Sequence, residues 1–234
     1  MQHYFADIVD KNVIFSKEDV HHILHVMRFK VGDNIIVVYN KTEYLCSFVS
    51  FNPLNVKILE KLDTNNELKI PVTLFFALAK GDKIDLVIQK ATELGVARIV
   101  LVKGSRDVVK MDNDDFSRKL SRYQMIAKEA SEQSRRQSIP EILGIYNINK
   151  LPSSLLADVN LVAYEKVAGN ASNIELNNAK SVSLLIGSEG GLSEEEIGSL
   201  VNQGFKTISL GKRILRTETV GLSILSIIMY EFER

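Results

Sequence analysis

Hydrophobic and polar residues follow two different rhythms along this chain, and the change falls near Asp63. Before it, VGDNIIVVYN, EYLCSFVSF and LNVKILEKL are short apolar runs punctuated by Gly-Asp, Asn-Lys and Asn-Pro pairs. Branched and aromatic residues between such turn signals predict β-strands. Ahead of them Ser16 can N-cap a helix with Asp19 three residues on, and Val20, Ile23, Leu24 and Met27 supply its apolar stripe. DTNNELK is polar and aperiodic, which marks a linker over residues 63–69. A β-rich unit is therefore expected over residues 1–68 and a second unit over 70–234.

From Ile70 strands and helices alternate. IPVTLFFALA reads as a buried strand, and KIDLVIQKATEL as an amphipathic helix stopped by Gly95. VARIVLV is a further strand. A long helix is predicted over Asp115–Ser134, with Phe116, Leu120, Tyr123, Ile126 and Ala130 on one face. NLVAYE and SVSLLIG are strands, and SEEEIGSLVNQG is a helix opened by a Ser193–Glu196 capping box. FKTISLG is the last strand, before a terminal helix from about Glu218. Such alternation predicts an α/β domain with a mainly parallel sheet.

Composition narrows the class. Of 234 residues, 45% are hydrophobic and 25% charged, which excludes a disordered chain as the default reading. The formal net charge is zero, so nucleic-acid binding must rest on a local basic patch. Cys46 is the single cysteine, which excludes a disulfide framework and a multi-cysteine zinc site. No signal segment and no apolar run near ~20 residues is present, so a soluble cytoplasmic protein without membrane partners is expected.

Ligands of open parallel sheets bind beyond the carboxyl ends of the strands. Two predicted strand ends carry unusual loops. SVSLLIG runs into Gly187-Ser188-Glu189-Gly190-Gly191, whose glycines permit close backbone approach to a flat ligand. The same stretch also serves as a plain tight strand-to-helix connection. It holds neither GxGxxG nor GxxxxGK[ST], so no dinucleotide or phosphate loop is predicted. The other loop packs Lys212, Arg213, Arg216 and Glu218 around Ile214 and Leu215. Arg216 and Glu218 could work on a substrate or brace the loop as an ion pair. Arg28, Lys80, Lys83, Arg106, Arg135 and Arg136 lie at element ends, where they could neutralise phosphates or simply be solvated. His21 and His25 have the spacing of a helical metal pair but lack a third ligand, so no metal is expected.

LIGSEGGLSEEEI followed by LGKRILRTET and a terminal helix resembles the RsmE family, SPOUT-class methyltransferases that use S-adenosylmethionine to modify 16S ribosomal RNA. HHILHVMR, KIDLVIQKATELGV and AKEASEQSRR extend the resemblance over essentially the whole chain. It implies a small β-barrel domain resembling PUA modules, then an α/β domain whose C-terminal stretch threads a loop into a trefoil knot, an arrangement rare among folds. The implied activity is methylation at N3 of one uridine near the decoding site of the small ribosomal subunit, by a homodimer. The donor would contact Leu185, Gly187, Ser188, Glu189, Gly190, Gly191, Leu210, Gly211, Ile214, Leu215, Arg216 and Thr219, with Ile214 and Leu215 against the adenine. Arg216 would be the cation beside the uracil carbonyls, and Glu218 or Glu129 the proton acceptor. Two positions depart from the family pattern: Ser188 stands where Pro is usual, and His3 where Arg is usual. A knotted methyltransferase acting on transfer RNA, and a non-catalytic knotted RNA-binding or assembly protein, are the alternatives.

Overall fold

A computed structural model describes residues 1–166, 171–172, 174–176 and 178–233. Two compact units divide the chain: Met1–Glu67 with Lys128–Ser138, and Leu68–Ala127 with Ile139–Arg234.

The first unit is built on a four-stranded sheet ordered β1-β4-β5-β6, from β1 (His3–Phe5), β4 (Asn34–Tyr39), β5 (Thr42–Phe51) and β6 (Leu54–Lys61). β2 (Asp7–Val9) and β3 (Asn12–Ile14) form a separate hairpin. Two of its two-residue hairpin turns, Asp10-Lys11 and Asn40-Lys41, have positive φ at each position, the backbone that matches strand twist. Tyr4, Ile23, Ile35, Val37, Cys46, Phe48 and Val56 form its core. Ser16 caps α1 (Lys17–His21) by accepting from the Asp19 N–H at 3.1 Å. The predicted apolar stripe does not hold beyond it. His22–Val26 winds as a π-helix, whose wider turn rotates later side chains, so Ile23 is buried while Leu24 and Met27 are exposed.

In the second unit a six-stranded, wholly parallel sheet runs β12-β10-β11-β7-β8-β9. Its strands are β7 (Val72–Ala77), β8 (Arg98–Lys103), β9 (Glu141–Asn147), β10 (Val159–Ala163), β11 (Val182–Ile186) and β12 (Phe205–Ile208). The helices are α2 (Lys83–Glu93), α3 (Asn113–Gln133), α4 (Glu194–Asn202) and α5 (Thr217–Glu233). Side chains alternate between two cores, as a strand's period of two requires. Leu74, Phe76, Ile99, Leu101 and Leu184 meet Ile88, Tyr123, Ile224 and Ile228 on one face. Phe75, Val100, Val162 and Leu185 meet Leu192, Leu200 and Phe205 on the other. Burial on both faces explains why β7 reads as an unbroken apolar run rather than an alternating one. α3 begins two residues before the predicted start because Asp112 Oδ1 accepts from the Asp115 N–H at 2.8 Å. No helix among the described residues is long and apolar enough to cross a membrane.

Candidate active site

Beyond the carboxyl ends of β10, β11 and β12 lies a cavity of about 480 Å³. Its walls are Gly187–Leu192 after β11 and Ser209–Thr217 after β12, apart from Lys212, with Ala163, Tyr164 and Glu165 at the end of β10. Ile186, Ile208 and Val220 close the base, and Lys83 of α2 joins from the side. β10 supplies a wall because it is hydrogen-bonded between β11 and β12. That strand order is set by long-range pairing, so Tyr164 and Glu165 carried no local signal in the sequence.

Both loops are fixed by their surroundings. Gly191 adopts φ +69°, and a Cβ on Gly187 would approach Leu192 Cγ at 3.0 Å. The turn after β8 buttresses the first loop: Arg106 Nη1 donates to the Leu192 carbonyl at 3.3 Å. The Ser105 N–H donates to Glu196 Oε1 at 2.6 Å. Glu196 also closes the predicted capping box, accepting from the Ser193 N–H at 2.8 Å while Ser193 Oγ accepts from the Glu196 N–H. In the second loop Ser209 Oγ accepts from the Gly211 N–H at 3.2 Å, and Ser172 Oγ accepts from the Ser209 N–H at 2.9 Å.

Lys83 and Glu189 give the cavity wall charge, and Glu218, which is not a lining residue, lies beside Lys83. Lys83 Nζ lies 2.8 Å from Glu189 Oε1 and 3.4 Å from Glu218 Oε2. Partial burial pushes both carboxyls up, but hydrogen bonds outweigh it and hold both below the usual glutamate value. For Glu189 the main donor is Lys83; for Glu218 they are its own N–H, the Thr217 hydroxyl and Lys83. The Glu189 hydrogen bond raises Lys83 in turn. The bracing pair considered between Arg216 and Glu218 does not form, since Glu218 faces Lys83 instead. Arg216 lines the cavity, exposed and without an ion-pair partner among the described residues.

Ten of the twelve residues expected around the donor line this cavity; Leu185 and Thr219 do not. Leu185 points into the core against α4, as the alternation of β11 dictates. Ile214 is 88% exposed, so it stands at the rim and offers little wall to an adenine. Glu129 sits exposed on α3 and is not a lining residue. Among the expected RNA contacts, Arg28 and Arg135 are exposed in left-handed backbone, and Lys80 and Arg106 are exposed at strand-end loops. Lys83 belongs to the cavity. Arg136 is corrected outright: it is 2% exposed, with Nη2 2.6 Å from Glu67 Oε2, and a buried guanidinium committed to a carboxylate cannot meet a phosphate. His3 is 5% exposed with Nε2 3.4 Å from Glu43 Oε1, so it does not take up an RNA-facing role in place of Arg. The His21 and His25 rings lie 4.8 Å apart, and no group of three or more potential ligands forms among the described residues.

A parallel sheet with paired glycine-bearing loops beyond its carboxyl ends holds the cavity where open α/β sheets bind their ligands. A family model described as the RNA methyltransferase domain matches residues 66–229, and one for the RNA methyltransferase PUA domain matches residues 15–59. The ribosomal RNA small subunit methyltransferase E of Bacillus subtilis is 36% identical over all of this chain and 98% of its own. The protein of that name from Mesomycoplasma hyopneumoniae is 35% identical over 97% of this chain and 98% of its own. A Neisseria gonorrhoeae ribosomal RNA small subunit methyltransferase E, solved bound to S-adenosyl methionine, superposes with TM-score 0.85 at 27% identity, covering 99% of this chain and 98% of that one. The chain belongs to the ribosomal RNA small subunit methyltransferase E family.

Proposed function

We propose that the protein transfers a methyl group from S-adenosylmethionine to N3 of a uridine in the 16S ribosomal RNA of the small subunit. The observation that carries this is the cavity itself. At about 480 Å³ it is of a size to hold one nucleoside-sized ligand. Ile186, Ile208, Leu210 and Leu215 offer apolar walls, and glycines 187, 190, 191 and 211 expose bare main chain for an adenine and ribose.

When bound, the donor supplies an electrophilic sulfonium methyl. The protein's task is then to align a nucleophile with it and to exclude water. Uridine N3 is a poor nucleophile until its proton leaves. Arg216, a cavity cation without an ion-pair partner among the described residues, would favour the uracil anion by facing a carbonyl oxygen. Glu218 is ionised near the mouth and can take the proton or pass it to solvent. Arg28 and Lys30, exposed in the β-rich unit, would hold phosphates and place the target.

The same reading includes a homodimer in the cytoplasm. α5 buries Ile224, Leu225 and Ile228 while leaving Ile227 and Tyr230 exposed, which suits a second copy. Sedimentation should exceed the 26.3 kDa of one chain at micromolar concentration. The activity is tested by incubating the protein with donor and unmodified small subunits and mapping the methylated nucleotide by mass spectrometry. Methylation of transfer RNA instead, or donor binding without transfer to any RNA, would replace this reading with one of its alternatives.

A further inference from the structure

Lys83 is the first residue of α2 and belongs to neither cavity loop, yet its Nζ reaches Glu189 in the first loop and Glu218, which follows the second loop at the start of α5. The Lys80 N–H adds a second anchor, donating to Glu189 Oε1 at 3.2 Å. We propose that Lys83 is a positioning residue for methyl transfer, a clasp that sets the spacing of the two donor-binding loops; the inference rests on the function proposed above.

Several features separate this clasp from an ordinary surface ion pair. The three side chains are only 24%, 28% and 14% exposed for Lys83, Glu189 and Glu218, so solvent screens them less than a fully exposed pair. Without the ammonium, the carboxylates of Glu189 and Glu218 would repel and push the first loop away from the start of α5, where the second loop ends. An ammonium suits the geometry because it can direct separate N–H groups at single oxygens on different elements, whereas a guanidinium fork favours one carboxylate. The position is also costly for a cation, since the first turn of a helix presents the positive end of its dipole. A lysine held there donates an N–H to Glu189 and has a second carboxylate, Glu218, at ion-pair distance, so its charge is offset. Such a group is a poor phosphate contact, and a phosphate role makes opposite predictions from a clasp.

Full-length Lys83→Met and Lys83→Arg proteins separate the two. Calorimetry with S-adenosylmethionine and with S-adenosylhomocysteine, and filter binding of a small-subunit RNA fragment across a salt series, are the readouts. A clasp predicts that Lys83→Met raises the donor Kd and the donor KM about five-fold. RNA affinity and its salt slope stay at the wild-type value, and Lys83→Arg recovers part of the loss. Amide exchange in residues 187–191 and 217–219 should quicken in Lys83→Met, a signal that needs neither donor nor RNA. Unchanged donor affinity and exchange, with weaker RNA binding and a salt slope reduced by about one, would overturn the clasp in favour of a phosphate contact. No change in any readout would overturn it too. If the wild-type protein itself neither binds donor nor methylates RNA, the proposed function fails, and the exchange data alone decide whether Lys83 ties the loops.

Discussion

Gly190 and Arg106 meet main chain to main chain: a Cβ built on Gly190 would stand 2.5 Å from the Arg106 carbonyl oxygen. No side chain fits there unless one loop retreats. Gly190→Ala should therefore displace the first cavity loop at a cost of about 1–3 kcal/mol. Because the loop can move without unfolding the sheet, the loss should appear mainly as weaker donor binding, roughly ten-fold by calorimetry, with the far-ultraviolet spectrum unchanged. Full affinity in that variant would mean the loop is not held against the β8 turn.

Gly211 makes a different demand. The nearest atom to its would-be Cβ is the Ala171 nitrogen at 3.9 Å, so space is available, but its φ of +108° is one that side chains rarely adopt. Strain, not collision, should govern, at about 1–3 kcal/mol. Gly211→Ala and Gly211→Val should accordingly weaken donor binding to similar extents. A mild alanine effect beside a severe valine effect would instead point to steric occlusion of the ligand.

Glu196 ties the cap of its own helix to the turn after β8 through one carboxylate. Burial pushes it up, but the Ser193 and Ser105 hydrogen bonds outweigh that and leave it below the usual value. A carboxyl depressed in the folded state stabilises it above the unfolded value of about 4.3, and that contribution fades as pH falls through the folded value. Glu196→Gln should cost about 1–3 kcal/mol in chemical denaturation at pH 7, because one amide oxygen cannot serve both N–H groups. The difference from wild type should shrink in acid.

His3 works in the opposite direction. Burial lowers its imidazole, with Glu43 opposing and Arg135 assisting. The folded chain takes up this proton at a lower pH than the unfolded chain, which does so near pH ~6.5. Stability from this group is therefore complete above that pH and declines as pH falls below it. The fall in urea resistance between pH 7.5 and 5.5 should be smaller in His3→Gln than in wild type. An identical fall would show that His3 plays no part.

Elements that satisfy themselves locally were legible in the sequence. The apolar runs of β7 and β11, the Ser193–Glu196 capping box of α4 and the turn at Asn40-Lys41 each stand on neighbouring residues. Both cavity loops also showed, because glycine clusters and misplaced charges break the pattern around them. What could not be read depends on distant partners. β1 is three residues long and exists only because β4, more than thirty positions away, pairs with it. β9 is interrupted by Gly144 and completes a sheet edge through β8. Arg136 looked like a free helix-end cation because Glu67 is 69 positions earlier. Lys83 did leave a trace, a lysine where a helix start favours acids, but its two carboxylates lie more than a hundred positions on.

The membership of Lys128–Ser138 in the first unit has a consequence for how the protein is made. Lys128 Nζ lies 2.6 Å from Asp19, Glu132 accepts from the Phe5 N–H at 3.1 Å, and Arg136 closes on Glu67. A ribosome delivering the N-terminal β-strands exposes them well before the helix that supplies these partners leaves the exit tunnel. At ~5–20 residues per second the wait is of the order of seconds, longer than hairpins need to form. The nascent sheet must therefore stand meanwhile with Asp19 and Glu67 unpaired. The unit that holds β1–β6 is thus finished only after Ser138 has been read.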